Sequence, residues 1–166
     1  MAANTRDIRR RIKSVKNTAQ ITKAMQMVAA SKMRKAQQAA VAGRPYATLL
    51  NRVLVSLGAS TASGDGYSHP LLDKREGGRE LVLLIATDKG LCGALNTNLF
   101  REASKFDLAN TDFVVVGRKG AQFVARSGRK MLAEFDLKDN FSFLEAKQVS
   151  KFCMEKFTSG EFGKVT

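Results

Sequence analysis

The sequence predicts an α/β chain: a long amino-terminal coiled-coil helix, then a domain built on a parallel sheet with helices on its faces. Three observations predict it. Apolar residues at alternating steps of four and three run through the first third of the chain. No Gly or Pro interrupts that third before Gly43 and Pro45. From residue 80 onward, short apolar runs alternate three times with helix-forming segments.

The helix comes first. Its seam reads Ile8, Ile12, Val15, Ala19, Thr22, Gln26, Ala29, Met33, Ala36, Ala40. Good helix formers surround it. Asn4 suits the cap, with Asp7 three residues on as a capping-box partner at the positive end of the dipole. At 1.5 Å per residue the stretch before Gly43 would measure roughly 55 Å. A compact chain of this length has a radius of gyration of about 15 Å. Such a helix is expected to project and to need a partner, because exposed seam residues forfeit ~0.8 kcal/mol per CH₂. Arg44-Pro45-Tyr46 predicts a kink or break near 43–46. Leu49, Leu50, Val53, Leu54 and Leu57 resume helical spacing with a thicker apolar face expected to be buried. Gly58 is expected to end the helix.

Charge is concentrated in the same region. The 166 residues carry a net charge of +13, with 44% hydrophobic and 26% charged residues. Residues 1–57 hold twelve Lys or Arg against one acid, Asp7, while the remainder is nearly balanced. An acidic partner is expected to meet the helix: nucleic acid, anionic lipid or an acidic protein surface. Two cysteines, Cys92 and Cys153, make neither a disulfide framework nor a zinc site. No apolar run is long enough to span a membrane, and none at the start suits a signal peptide.

Residues 58–79 read as a linker loop rich in Gly, Ser and charge, and residues 80–166 as the α/β domain. Leu81 to Ala86 is a continuous apolar run, the pattern of a strand buried on both faces. A loop follows over Thr87 to Gly93, then a helix over Ala94 to Phe106. Phe113 to Val116 is a second buried strand, followed by a short helix over Ala121 to Arg126. Lys130 to Phe135 is a third, weaker strand. Phe143 to Phe157 is a further helix, with Leu144, Val149, Phe152, Cys153 and Phe157 available for burial. Three parallel strands are thus expected, and Gly163 to Thr166 reads as the approach to a fourth.

Two loops occupy places where α/β sheets hold ligands. Asp88, Lys89, Gly90, Leu91, Cys92 and Gly93 follow the first strand and precede a helix. Their glycines could let amides cradle a phosphate. The Gly-Lys-Ser/Thr end of a P-loop and the G-x-G-x-x-G pattern are both missing, so a tight turn around a packed Cys is preferred. Gly117-Arg118-Lys119-Gly120 reads as a solvated basic turn. His69 is the only histidine and has no nucleophile or carboxylate set around it. No catalytic residue, cofactor site or metal site is read from the sequence.

The middle of the helix carries a second stripe of Ile21, Met25 and Val28, roughly a quarter turn from the seam. Spacing leaves two readings open: a helix shared between two partners, or one wide core face. Lys23, Lys32, Arg34 and Lys35 could bind phosphates, so a basic nucleic-acid-binding arm on a small α/β domain is the alternative function. Against it, no aromatic precedes Tyr46 to stack on bases, and charge and seam share the same turns. A third reading is an enzyme working on a phosphate ligand at the Asp88 to Asn96 loop.

Three ordered segments carry a family resemblance. Asp7-Ile8-Arg9-Arg10-Arg11-Ile12-Lys13-Ser14-Val15 with Ile21 through Met33, then His69-Pro70-Leu71-Leu72, then Asp88 through Asn96, closely resemble the gamma subunit of F-type ATP synthase. The resemblance implies a non-catalytic rotor shaft coupling rotation to catalysis in the alpha/beta ring. It implies an antiparallel coiled coil of the two terminal helices and a Rossmann-like three-layer domain at the foot. The implied partners are the alpha and beta subunits of the head, the epsilon subunit and membrane c-ring at the foot, and the chain's own C-terminal helix. No nucleic acid and no membrane insertion are implied. The implied location is peripheral, on the cytoplasmic face of the bacterial inner membrane. By resemblance Met25 lies where the shaft meets an acidic loop of beta, with Lys23, Lys32, Arg34, Lys35, Ile21 and Val28 beside it. The Asp88 to Gly93 loop would belong to the stalk foot. Family members are considerably longer, so the domain is expected to be incomplete at its C-terminus.

Overall fold

A computed structural model describes residues 4–62, 69–72, 75, 77–137 and 141–166. The chain divides into two compact units, Met1–Gly66 and Tyr67–Thr166.

The first unit is one helix, α1, Thr5–Ala62, of 58 residues. Asn4 caps it, but its Oδ1 accepts from the Arg6 amide at 3.2 Å, while its carbonyl accepts from Asp7 and Ile8. Thr18, Thr22, Thr48 and Ser56 turn their hydroxyls onto the carbonyl four residues back, which satisfies them without leaving the helix. Two expectations are corrected. Of the kink or break expected near 43–46, the break does not occur, since α1 runs on through Pro45. Nor does Gly58 end it. Gly58 is not among the left-handed glycines, so no αL stop forms, and α1 continues to Ala62. Pro costs ~3 kcal/mol and Gly ~1 kcal/mol in a helix interior, and strong helix formers on both sides offset these local losses. Leu49, Leu50, Val53, Leu54 and Leu57, expected as a buried face, are exposed.

The second unit is a doubly wound sheet. Its strands are β1 (Arg79–Ile85), β2 (Thr111–Val116), β3 (Lys130–Phe135) and β4 (Phe162–Val165). All pairings are parallel and the order is β3-β2-β1-β4. The helices are α2 (Leu95–Ala103), α3 (Arg118–Arg126) and α4 (Phe143–Thr158). The winding runs outward through β2 and β3, then returns to the far side of β1. Right-handed crossovers therefore put α2 and α3 on one face and α4 on the other. The cores agree. Val82, Leu84, Phe113 and Val115 pack with Ala103, Ala121 and Val124 on one face. Leu81, Val114 and Phe162 pack with Cys153 on the other.

The expected three strands are four, because the stretch read as an approach to a strand is β4. Elsewhere the bounds shift by a few residues. α2 stops at Ala103 and α3 begins at Arg118. β2 is buried along its whole length. β1 is not sealed on both faces, since Ile85 at its carboxyl end is 64% exposed. In α4, Val149 and Cys153 are buried as expected, but Leu144 is 69% exposed. The first turn of α4 reaches past the cover that the sheet provides. That turn is well formed nonetheless, since Ser142 and Glu145 make a capping box.

At the amino rim, the fully buried Asp112, second residue of β2, lies between two cations. Arg79 of β1 donates to its Oδ1, and Lys130 Nζ of β3 lies 3.3 Å from its Oδ2. One carboxylate thus ties three strands in register. A buried charge stripped of its partner is the costly case. Arg79→Ala leaves Asp112 only Lys130 and should lower the stability of the sheet unit by about 2 kcal/mol, with Asp112→Asn costing less because it strands no buried charge. Urea denaturation followed at the sheet core measures both, and equal losses would contradict this account.

Candidate functional site

Two places in the chain hold the sequence-predicted residues, and each is built differently. The first is α1. Every described side chain along it is exposed. Among the large apolar residues of the seam, exposure runs from 45% at Ile8 to 68% at Val15, and on the second stripe Met25 is 66% exposed. Val15, Thr18, Ala19, Thr22, Lys23 and Gln26 line a shallow groove along the seam. Arg34 and Lys35 line another with Met27, Ala30, Ser31 and Gln38.

A regular helix also sorts the four cations expected around Met25. At 100° per residue, Lys32 lies about 20° from Met25 and Lys35 about 80°. Lys23 and Arg34 lie about 160° and 180° away, on the far side. The structure therefore groups Met25 with Ile21, Val28 and Lys32, brings Lys35 to that group's edge, and separates Lys23 and Arg34 from it. The same geometry shows a feature that the sequence reading missed. Arg9, Lys16, Lys23 and Arg34 are spaced 7, 7 and 11, so they fall within a strip about 40° wide and roughly 38 Å long. The spacing was the available signal. α1 thus presents an apolar seam, a second apolar stripe and a basic row on separate faces.

The second place is the β1–α2 loop. Asn96 of α2 donates to Thr87 Oγ1 at 2.8 Å and to Cys92 Sγ at 3.3 Å, and Thr87 Oγ1 donates to the Lys89 carbonyl at 2.7 Å. The loop is also stitched to α3. Asp88 Oδ1 accepts from the Arg118 amide at 3.0 Å, and the Thr87 carbonyl accepts from the Lys119 amide at 3.0 Å. Gly117, the N-cap of α3, has φ of +95° and brings no capping side chain. A Cβ there would lie 2.3 Å from the Ala86 carbonyl oxygen, so only glycine fits. Asp88 supplies from across the loop the anion that this helix end favours. A phosphate would have to displace it.

Leu91 does the opposite. It is held at φ of +61°, costly for a non-glycine residue, and its side chain is fully exposed. Leu95 and Ile85 are exposed as well. Lys89, Arg118 and Lys119 belong to the same two connections. Cys92 is a half-buried free thiol; Cys153 is buried under α4, and burial pushes its thiol up. His69 is exposed in a turn, where Nδ1 accepts from the Leu71 amide at 3.2 Å. Among the described residues no group of three or more His, Cys, Asp or Glu is placed to hold a metal, and no helix is long and apolar enough to cross a membrane.

A parallel doubly wound sheet preceded by one very long basic helix defines an α/β protein with an extended exposed helical surface. The ATP synthase family matches residues 4–166, and the chain belongs to that family. It is 55% identical over 158 residues to the ATP synthase gamma chain of Opitutus terrae, covering 95% of this chain and 52% of that protein. It is 49% identical over 169 residues to the ATP synthase gamma chain of Methylacidiphilum infernorum, covering 99% and 57%. The gamma chain of Akkermansia muciniphila is 47% identical over 162 residues, covering 98% and 54%. The chain thus spans about half the length of the curated relatives it matches.

Asp88→Ala should cost about 1 kcal/mol by uncapping α3, and Asp88→Asn should retain most of that. Thermal unfolding measures the difference. Calorimetry with ATP should show no micromolar binding to the parent chain; binding abolished by Lys89→Ala would restore the enzyme reading.

Proposed function

We propose that this chain works as part of the central-stalk rotor shaft of an F-type ATP synthase, coupling rotation to catalysis without catalysing a reaction itself. One observation carries the reading: a 58-residue helix with two apolar stripes and a basic row, all exposed, in a chain of this family. A shaft needs a surface for its coiled-coil mate and a different surface for the ring that surrounds it.

In this reading the seam of Ile8, Ile12, Val15, Ala19, Met33 and Ala36 takes the subunit's own C-terminal helix. The stripe of Ile21, Met25 and Val28, with Lys32 and Lys35, meets an acidic loop of beta. Lys23 and Arg34 act through the basic row, on the side away from Met25. A flexible Met repacks at low cost as successive subunits pass. Exposed ion pairs of ~0–1 kcal/mol attract without fixing a position. The Asp88 to Gly93 loop, with Leu91 outermost, serves as a docking element at the stalk foot, toward epsilon and the c-ring. The assembly would sit peripherally on the cytoplasmic face of the bacterial inner membrane.

The test uses the full-length subunit. Co-expressed with alpha and beta subunits, it should co-purify with them. Lys16→Glu with Lys23→Glu should weaken that capture in a salt-dependent way. Met25→Lys should leave capture intact but add a tie of up to about 1 kcal/mol to an acidic loop. That slows each passage up to about fivefold and lowers protons pumped per ATP hydrolysed. Failure to co-purify, or an unchanged pumping ratio in Met25→Lys, would count against the shaft and the stripe respectively.

A further inference from the structure

Arg75 lies four residues ahead of β1, in the stretch that brings the chain from α1 into the sheet unit. It is half-buried. Its guanidinium sits 4.4 Å above the centre of the Phe157 ring. Its Nη1 donates to the Phe157 carbonyl and, at 3.4 Å, to the Phe162 carbonyl. Phe157 belongs to the last turn of α4 and Phe162 opens β4. Carbonyls in the last turn of a helix lack intrahelical partners and sit at the negative end of the dipole. One cation from the arriving chain therefore holds both sides of the α4–β4 connection.

The backbone just beyond Arg75 touches the same strand. Register passes from Arg79 opposite Phe162 to Glu80 opposite Lys164, which leaves Gly163 as the bulged residue. A Cβ on Gly163 would lie 2.2 Å from the Gly77 carbonyl oxygen. The two backbones meet only because no side chain stands between them. Further along, Glu80 holds Lys164 Nζ at 2.9 Å and the Thr166 hydroxyl at 2.6 Å. β4 is a four-residue edge strand, and the chain around the start of β1 grips it at both ends.

We propose that Arg75 is a mechanical clasp: it fixes the chain arriving from α1 to the α4–β4 turn, so that load entering through the helix reaches α4 and β4 as well as β1. Without the clasp, the pull falls on the amino end of β1, whose first ladder bond runs from the Glu80 amide to the Asn110 carbonyl. With the clasp, two carbonyls and a ring of the α4–β4 turn share that load with β1. The geometry stands by itself; its mechanical use rests on the rotor reading.

Two measurements test the clasp. In this 166-residue chain, Arg75→Ala should speed exchange of the Gly160, Leu83 and Thr166 amides about tenfold, from loss of hydrogen bonds to a charged donor. The Ala86 amide, bonded to Val116 across β1 and β2, should not change. Arg75→Lys keeps the charge but not the fork and should fall between, which guards against misfolding of the alanine variant. In the assembled complex with full-length subunit, Arg75→Ala should lower the torsional stiffness of the stalk, read from the angular fluctuation of a probe on the sheet unit. Unchanged exchange overturns the clasp. Faster exchange with unchanged stiffness overturns its mechanical role while the rotor reading stands. A wild-type complex that never rotates overturns the rotor reading and that role together, and the exchange result separates this case from a missing clasp.

Discussion

A helix satisfies its own backbone but cannot bury its own side chains. α1 is governed by that constraint. Its polar residues turn back onto the helix, as Thr18, Thr22, Thr48 and Ser56 do, and so find partners without a neighbour. Its apolar residues have no such recourse. Ile8, Ile12, Val15, Met25 and Met33 remain in water along a rod of 58 residues. Helices gain most of their stability from packing an apolar face. The basic side chains repel one another as well. A surface that is apolar along the seam and acidic beside it would relieve both costs.

The sheet unit solves the same problem internally, and its two rims differ as a result. At the amino rim, Asp112 is sealed between Arg79 and Lys130, and Glu80 grips β4 through Lys164 and Thr166. Burial pushes the Glu80 carboxyl up, but the hydrogen bonds from Lys164 and Thr166 and the charge of Lys164 outweigh it and hold it below the usual carboxylate range. Because the folded value is depressed, this contribution is present above the unfolded value and fades as pH falls through the folded one. At the carboxyl rim the apolar residues are open: Ile85, Leu91, Phe143 and Leu144. The amino rim thus carries the buried ion pairs that hold the strands together, and the carboxyl rim carries apolar side chains in solvent.

What the sequence showed and hid follows from the range of each interaction. The seam and the second stripe were legible because the helical period repeats within a few residues. The passage through Pro45 and Gly58 was not, since a local breaker announces its cost but not the strength of the helix on either side. The alternation of strands and helices was legible from Leu81 onward. β4 was only half visible, because four residues with Gly163 among them make a strand only through their pairing with β1. The burial of Ile85 was misjudged for a related reason: an apolar run shows what could be covered, not what covers it. In the loop, the place was read correctly after β1. That Asp88 caps α3 could not be read, since its partner Arg118 lies 30 residues away. Grouping Lys23 and Arg34 with Met25 took nearness along the chain for nearness in space, and the helix turns them to opposite sides.

The loop after β1 also shows how this sheet uses the start of α3. In doubly wound sheets the crevice at the carboxyl ends, where the winding reverses, is the place for a ligand, and here the reversal lies between β1 and β4. A phosphate is drawn to such a place by free amides at a helix N-terminus. In this chain the first amide of α3 already holds the Asp88 carboxylate, and the Lys119 amide holds the Thr87 carbonyl. The close approach that glycine permits at Gly117 is spent on the Ala86 carbonyl. At the start of α3, the groups that would bind an anion are instead used to fix the loop. What the fixed loop then presents is Leu91, an apolar side chain in a backbone conformation that solvent alone gives no reason to keep. The loop is thus held by its own donors and acceptors, while Leu91 stands in solvent.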